Sequence, residues 1–357
     1  MLNLTVKNFG VLKNIDIELN KTNLFIGDNG SGKSVLAKLI TIVTNEVPEN
    51  FLSQFKEFNI DFITNETVVL FKEDKNLLLH IENGELKYHQ LSKYKKNIIK
   101  HLQGKNPKNC TIPELTKYVE ALDGLESQYI PAERNLISIF NQSISNLVTA
   151  KIPLPDTLLK FSSEYNKARK EIKELRLLNM KYVNKNGNDV IYYDDDNYLS
   201  LENSSSGMQT ALPMYLTLKY FSSSYSHIII EEPELNLFPK TQIETIKYII
   251  ETTTKNDSHI MTHSPYVLSI LNTLIFAYKA SNTNNILKDK ISIIIPKAQQ
   301  INPDEFSAYL IENGISKSIK GKSTGMIQEN AIDDIGGIID DNFNELMDIY
   351  REFKNDT

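Results

Sequence analysis

The residues best equipped for chemistry stand at 27–34, Gly27-Asp28-Asn29-Gly30-Ser31-Gly32-Lys33-Ser34. They match G-x-x-x-x-G-K-[ST], a loop whose glycines let the backbone wrap around phosphate oxygens while amides at a following helix N-terminus point at the negative charge. In such a loop Asn29, Gly30, Ser31, Gly32 and Val35 line the phosphates, Lys33 reaches the β- and γ-phosphates, and Ser34 ligates Mg²⁺. A second set, His227-Ile228-Ile229-Ile230-Glu231-Glu232-Pro233-Glu234, is an apolar strand that ends in paired carboxylates. Glu231 suits a metal held through water, and Glu232 suits the base that polarises an attacking water. Adjacent strand residues point to opposite faces, so Glu232 is expected at or past the strand end, which Pro233 favours. Without the phosphate loop the same acids would read as a solvated strand end. With it, ATP is the expected ligand and Mg²⁺ the expected cofactor.

Two further segments bear on the reaction. Residues 203–209, Asn-Ser-Ser-Ser-Gly-Met-Gln, open a helix with apolar Met208, Ala211, Leu212, Tyr215 and Leu218. Ser205, Ser206, Gly207 and Gln209 thus stand at a second helix N-terminus, either a simple cap or an anion-binding end. His263, in Thr262-His263-Ser264-Pro265-Tyr266, follows Glu232 by 31 residues at the end of another expected strand. On its own it reads as a core histidine.

The elements that must position these groups can be read from periodicity. Strands are expected at 2–6, 15–19 and 23–26, then a helix with Val35, Leu36, Leu39, Ile40 and Val43 on one face. Strand-like runs at 60–63, 67–71, 77–81 and 85–88, with Asn83-Gly84 as a hairpin turn, suggest an antiparallel subdomain. From 227 onwards strand and helix alternate: strands at 228–230, 259–262 and 291–295, helices at 240–252 and 265–278, implying a parallel sheet. The tail predicts an amphipathic helix with Phe343, Leu346, Met347, Tyr350 and Phe353 on one face. The expected fold class is α/β, a mostly parallel core sheet with an antiparallel β subdomain and a helical lobe.

One module spanning 1–357 is expected. Residues 1–45 and 226–300 form its nucleotide-binding lobe, 46–125 an inserted β and basic helical segment, 126–225 a helical lobe and 301–357 a helical tail. The 357 residues are 41% hydrophobic and 24% charged, with net charge −6, a single cysteine and six histidines. That excludes a disulfide framework or a Cys/His zinc module and argues against a generally basic nucleic-acid binder. Residues 86–113 nevertheless hold seven lysines (87, 93, 95, 96, 100, 105 and 108) and no acid, a stripe that is either a solvated face or a nucleic-acid contact. No apolar run suggests a membrane span, so a cytoplasmic location without membrane contact is expected.

In this order the motifs resemble those of the ATP-binding-cassette superfamily: Walker A at 27–34, signature at 205–209, Walker B at Glu231-Glu232, D-loop at 234–237 and switch histidine His263. More narrowly, Tyr129-Ile130-Pro131-Ala132-Glu133-Arg134 and the segments around Gly207, Glu232 and His263 resemble the non-transporter, SMC/RecF/OLD-like ATPases of bacterial anti-phage systems, such as those of OLD, Septu, PARIS and some retrons. The resemblance implies a head-to-tail homodimer or higher assembly, with each ATP between one copy's Walker motifs and the other's signature. It also implies a separate effector encoded nearby, such as a nuclease. A RecF-like DNA-repair ATPase clamping DNA through the lysine stripe is the alternative. Glu231 replaces the usual Walker B aspartate and Met208 the second signature glycine. No Q-loop glutamine is evident; Gln128, Glu133 and Arg134 are its candidates, the charged pair being readable also as an ion pair. The adjacent acids Asp333-Asp334 and Asp340-Asp341 read as a solvated surface rather than a metal cage, so no nuclease activity of the chain's own is expected.

Overall fold

The computed structural model describes residues 1–45, 51–89, 127–140, 149–151, 153–177, 180–328 and 344–347. The first half of the described chain comprises β1 (Leu2–Phe9), β2 (Leu12–Leu19), β3 (Thr22–Ile26), α1 (Lys33–Thr44), α2 (Phe51–Glu57), β4 (Val68–Glu73), β5 (Asn76–Glu82), β6 (Glu85–His89), β7 (Ser127–Ile130), α3 (Asn135–Phe140) and α4 (Asp156–Glu171). There follow β8 (Glu174–Leu177), β9 (Met180–Lys185), β10 (Asn188–Tyr192), β11 (Tyr198–Ser200), α5 (Ser206–Phe221), β12 (His227–Glu231), α6 (Pro239–Thr252), β13 (Asp257–Thr262), α7 (Pro265–Ser281), α8 (Asn285–Ile294), β14 (Phe306–Glu312) and β15 (Ile315–Ser318).

One large sheet runs β6-β5-β4-β1-β2-β15-β14-β3-β13-β12-β7. From β14 to β7 every neighbouring pair is parallel. From β6 to β2 every pair is antiparallel. The two halves meet where the antiparallel β14–β15 hairpin lays Ile315 beside Asn14 of β2. Side-chain alternation explains the difference in sequence texture. In β3, Leu24 and Ile26 enter one apolar core and Phe25 the other; in β12, Ile228 and Ile230 face the first core and Ile229 the second. Helix α1 contributes Leu36, Leu39 and Ile40 to the second core, while α5, α6 and α7 pack in the first. The parallel strands are therefore covered on both faces. In the antiparallel half, Leu12, Ile15, Ile17 and Leu19 of β2 are buried, while Lys13, Asn14, Asp16 and Glu18 are exposed.

Several expectations are corrected here. Residues 291–295 end helix α8 instead of forming a strand; an apolar run of five cannot by itself distinguish the two. Residues 60–63 join no ladder. They form a loop tied down by Thr67, whose hydroxyl donates to the Asn8 carbonyl (2.7 Å) and accepts from the Thr64 amide (3.0 Å). The helical lobe at 126–225 contains a second, antiparallel sheet, β11-β10-β9-β8. Its packing on α4 is built around the buried Asp189 carboxylate, which accepts from Arg169 Nε (3.0 Å) and the Tyr165 and Tyr182 hydroxyls. The tail at 301–357 is not uniformly helical, since β14 and β15 belong to it. Lys87 lies in β6, while Lys93, Lys95, Lys96, Lys100, Lys105 and Lys108 fall outside the described residues, as do Asp333, Asp334, Asp340, Asp341, Phe343, Tyr350 and Phe353.

Candidate functional site

The carboxyl ends of the parallel strands carry the site, as expected for an open α/β sheet. Strand β3 feeds the loop 27–34 and the loop feeds α1. Gly30 and Gly32 have φ of +78° and +107°, which other residues reach only with strain. A Cβ on Gly27 would lie 2.1 Å from the Ile311 carbonyl oxygen, so β14 of the tail braces the start of the loop. A cleft of about 450 Å³ opens beside it, lined by Val11, Lys13, residues 28–31 and 312–314.

Lys33 is nearly enclosed, its Nζ donating to the carbonyls of Gly27 (2.7 Å) and Asp28 (3.0 Å) and lying 3.4 Å from His263 Nδ1. Burial holds its pKa below the usual lysine value, against the opposing pull of Glu232, Asp28, Glu231 and Glu234. Ser34 Oγ donates to Glu231 Oε2 (3.1 Å), and Tyr129 Oη donates to Glu231 Oε1 (2.8 Å). Burial raises the Glu231 pKa, although both hydrogen bonds oppose the shift. A buried carboxylate beside a serine hydroxyl at a phosphate loop is an oxygen donor set of the kind Mg²⁺ takes.

Strand β12 ends at Glu231, and Glu232 turns out of it with φ of +43°. Its Oε1 lies 3.2 Å from His263 Nε2, so Lys33, His263 and Glu232 form one continuous polar line. The loop carrying His263 is itself held. Glu234 Oε1 accepts from the Thr262 hydroxyl and the His263 amide (3.0 Å), and Gln242 accepts from Ser264 Oγ (2.9 Å). Phosphate-loop cation, hydroxyl, metal-type carboxylate, base and histidine thus converge on one sheet edge, which can bind a polyphosphate and activate water against it.

The second helix N-terminus is built differently. Ser205 and Ser206 are exposed, Ser205 Oγ accepts the Met208 amide (3.4 Å), and Gly207 packs so tightly that a Cβ would lie 2.8 Å from the Asn236 carbonyl oxygen. Gln209 is turned back onto the carbonyls of Glu202 (2.8 Å) and Ser204 (3.1 Å) and away from that end. Among the described residues no hydrogen bond joins 205–207 to Lys33, Ser34, Glu231 or Glu232.

The three Q-loop candidates separate cleanly. Gln128 is buried and donates to Glu164 Oε2 (2.9 Å) on α4. Arg134 is fully buried and bound to backbone carbonyls, not to Glu133. Glu133 is exposed, and its charge is felt at the Glu231 carboxyl. Sequence reasoning missed Tyr129 and Glu234 as supports. Their signals were present but weak, a tyrosine two residues before Pro131 and a third acid after the pair.

A family description, an AAA ATPase domain, matches residues 89–268, half of the chain. The match takes in Glu231, Glu232, His263 and the 205–209 segment and leaves the 27–34 loop outside it. Among solved structures, the SMC head domain from Thermotoga maritima aligns at TM-score 0.40 and 12% identity, over 89% of this chain and 97% of that one. An ATP-binding cassette of an ABC transporter in its ADP conformation aligns at 0.39 and 17%, over 94% and 96%. An Smc head domain bound to the C-terminal domain of ScpA, derived from Pyrococcus furiosus, aligns at 0.37 and 12%, over 95% and 100%. No curated protein matches the sequence.

Proposed function

The chain belongs to the AAA ATPase domain family, and from that premise we propose that it binds and hydrolyses ATP in a head-to-tail pair of copies, as the nucleotide-controlled subunit of an anti-phage system that governs a separate effector such as a nuclease. The observation that carries the ATPase part is the convergence of Lys33, Ser34, Glu231, Glu232 and His263 on one strand edge. The anti-phage part rests on the motif resemblance at 129–134, 205–209 and 262–266.

The residues fit the group they would hold. Gly30 and Gly32 take the positive φ that a loop wrapped around phosphate oxygens needs, and Ser34 with Glu231 would hold Mg²⁺. When bound, that ion neutralises charge on the phosphate oxygens. Lys33 exchanges its loop carbonyls for phosphate oxygens, and its three donors suit that exchange. Glu232 takes the proton of the attacking water, held at an angle that the strand alone would not give. His263, in contact with both Lys33 and Glu232, hydrogen-bonds the transferred group. The helix end at 205–207, where Ser205 and Ser206 are exposed, supplies its donors to a second copy's nucleotide.

The test is a purified chain with Glu232→Gln and Mg-ATP, examined by light scattering and for turnover, then co-expressed with the product of the adjacent gene. The expected result is a nucleotide-dependent dimer, turnover in the wild type only, and a stable complex with the neighbour, while the chain on its own leaves DNA uncut. A monomer that binds DNA in the presence of ATP would favour the repair-type reading instead.

A further inference from the structure

Arg134 is the largest fully buried side chain of the described residues, and every hydrogen bond it makes goes to a backbone carbonyl. Its Nη1 donates to Pro131 (2.9 Å) and Glu231 (2.7 Å), its Nη2 to Glu232 (2.6 Å), and its Nε to Thr210 (3.1 Å). Burial pulls its pKa down to about 10, so it remains charged at neutral pH, and the acids at 231, 232 and 234 favour that charge. A planar guanidinium with a fixed fork of five donors can make these four hydrogen bonds across three segments; a lysine ammonium, with three donors, cannot.

The elements it spans are telling. Glu231 and Glu232 form the turn on which the base is carried at positive φ, whereas Thr210 lies in the first turns of α5, behind the exposed serines. Thr210 is a junction in its own right. Its hydroxyl donates to the Ser206 carbonyl (2.8 Å) and accepts from Asn236 Nδ2 (3.1 Å), and Asn236 sits at φ of +61° in the loop after the acidic strand. We infer that Arg134 is a positioning residue that couples the two ends of the composite reaction: docking of 205–207 on a second copy's nucleotide is transmitted through Thr210 and the guanidinium to the backbone that aims Glu232. Each copy's base is thereby set by the nucleotide bound to the other copy, and hydrolysis responds cooperatively to ATP.

This inference rests on the head-to-tail reading above, and the experiment separates the two. The head-to-tail reading is read out by the nucleotide-dependent dimer of Glu232→Gln, in which Arg134 is intact. The coupling is read out by ATP-concentration dependence of steady-state hydrolysis in wild type, Arg134→Lys and Thr210→Val, with nucleotide affinity and dimerisation measured alongside. The wild type should show a Hill coefficient well above one. Arg134→Lys should keep nucleotide affinity within about threefold, lose roughly tenfold or more in kcat, and fall to a Hill coefficient near one. Thr210→Val, isosteric and leaving the guanidinium in place, should lower the Hill coefficient with a smaller loss of kcat, and it serves as the probe should Arg134→Lys not fold. A purely structural arginine would lower the amount of folded enzyme without changing the Hill coefficient. Dimerisation with wild-type cooperativity in either folded variant overturns the coupling, as does a wild-type Hill coefficient of one. Failure of Glu232→Gln to dimerise overturns the head-to-tail reading, while the split between kcat and affinity in Arg134→Lys still reports whether Arg134 aims the base.

Discussion

Two helices of this molecule begin with serine and glycine at an exposed edge, and they begin in opposite company. Helix α1 starts inside a ring of charge: Lys33 beneath the loop, Glu231 on Ser34, Glu232 and His263 across from it. Helix α5 starts with Ser205 and Ser206 in the open, its polar neighbours spent on the protein's own backbone. The first end carries the groups a phosphoryl transfer needs, and the second carries only amides and hydroxyls. A helix end with donors but no base or metal acid can bind an anion but cannot react with it. That asymmetry is what the proposal of a site shared between copies rests on.

Removing the charge at the first end should have the largest effect. Lys33→Ala is expected to abolish nucleotide binding in calorimetry while the circular dichroism spectrum stays unchanged, since among the described residues Lys33 bonds loop carbonyls, Ser31 and His263. Retained binding would dissolve the comparison altogether. Next comes Glu232→Gln, which keeps a polar side chain but deletes the base; turnover should fall about 10²- to 10⁴-fold with affinity intact. Equal turnover would show that His263 or another group does the work. Ser206→Arg at the second end should leave binding to the isolated chain intact yet cut steady-state hydrolysis on the order of tenfold or more by blocking approach of a second copy. Loss of binding in that variant would mean that the two ends act within one chain.

The smallest effect concerns stability. Burial raises the folded pKa of Glu231 above its unfolded value, so its contribution favours the fold below about pH 4.3 and is lost as pH rises through the folded pKa. The cost of burying this carboxyl in its charged form grows as pH rises above the unfolded value, and Glu231→Gln does not carry it. The variant should melt a few degrees higher at pH 7, about 1–2 kcal/mol, with the gap closing towards pH 4. A gap of the same size at both pH values would assign the effect to packing.

The first end was largely legible in the sequence because its residues are local: a spaced motif between an apolar strand and an amphipathic helix. The turn at Glu232 was legible for the same reason, since two adjacent acids cannot share one face of a strand. What could not be read is what arrives from far along the chain. β14 reaches the loop from residue 306 onwards, and its Ile311 carbonyl fills the space that makes Gly27 obligatory, a contact no local pattern announces. Residues 291–295 were the more apolar run and drew the strand reading that belonged to 306–312. Arg134 beside Glu133 reads in sequence as a Q-loop candidate or an ion pair; its burial depends on carbonyls from β12 and α5 that only the fold brings together.

The most direct test mixes two inactive chains, Lys33→Ala and Ser206→Arg. If the two helix ends complete one site across two copies, each mixed dimer holds one intact Walker end facing one intact 205–207 end. Hydrolysis should then reappear on mixing, at up to about a quarter of the wild-type rate for random pairing of two-fold dimers and less where the sites are coupled. No recovery, with mixed dimers shown to form by differential tagging, would contradict the shared site.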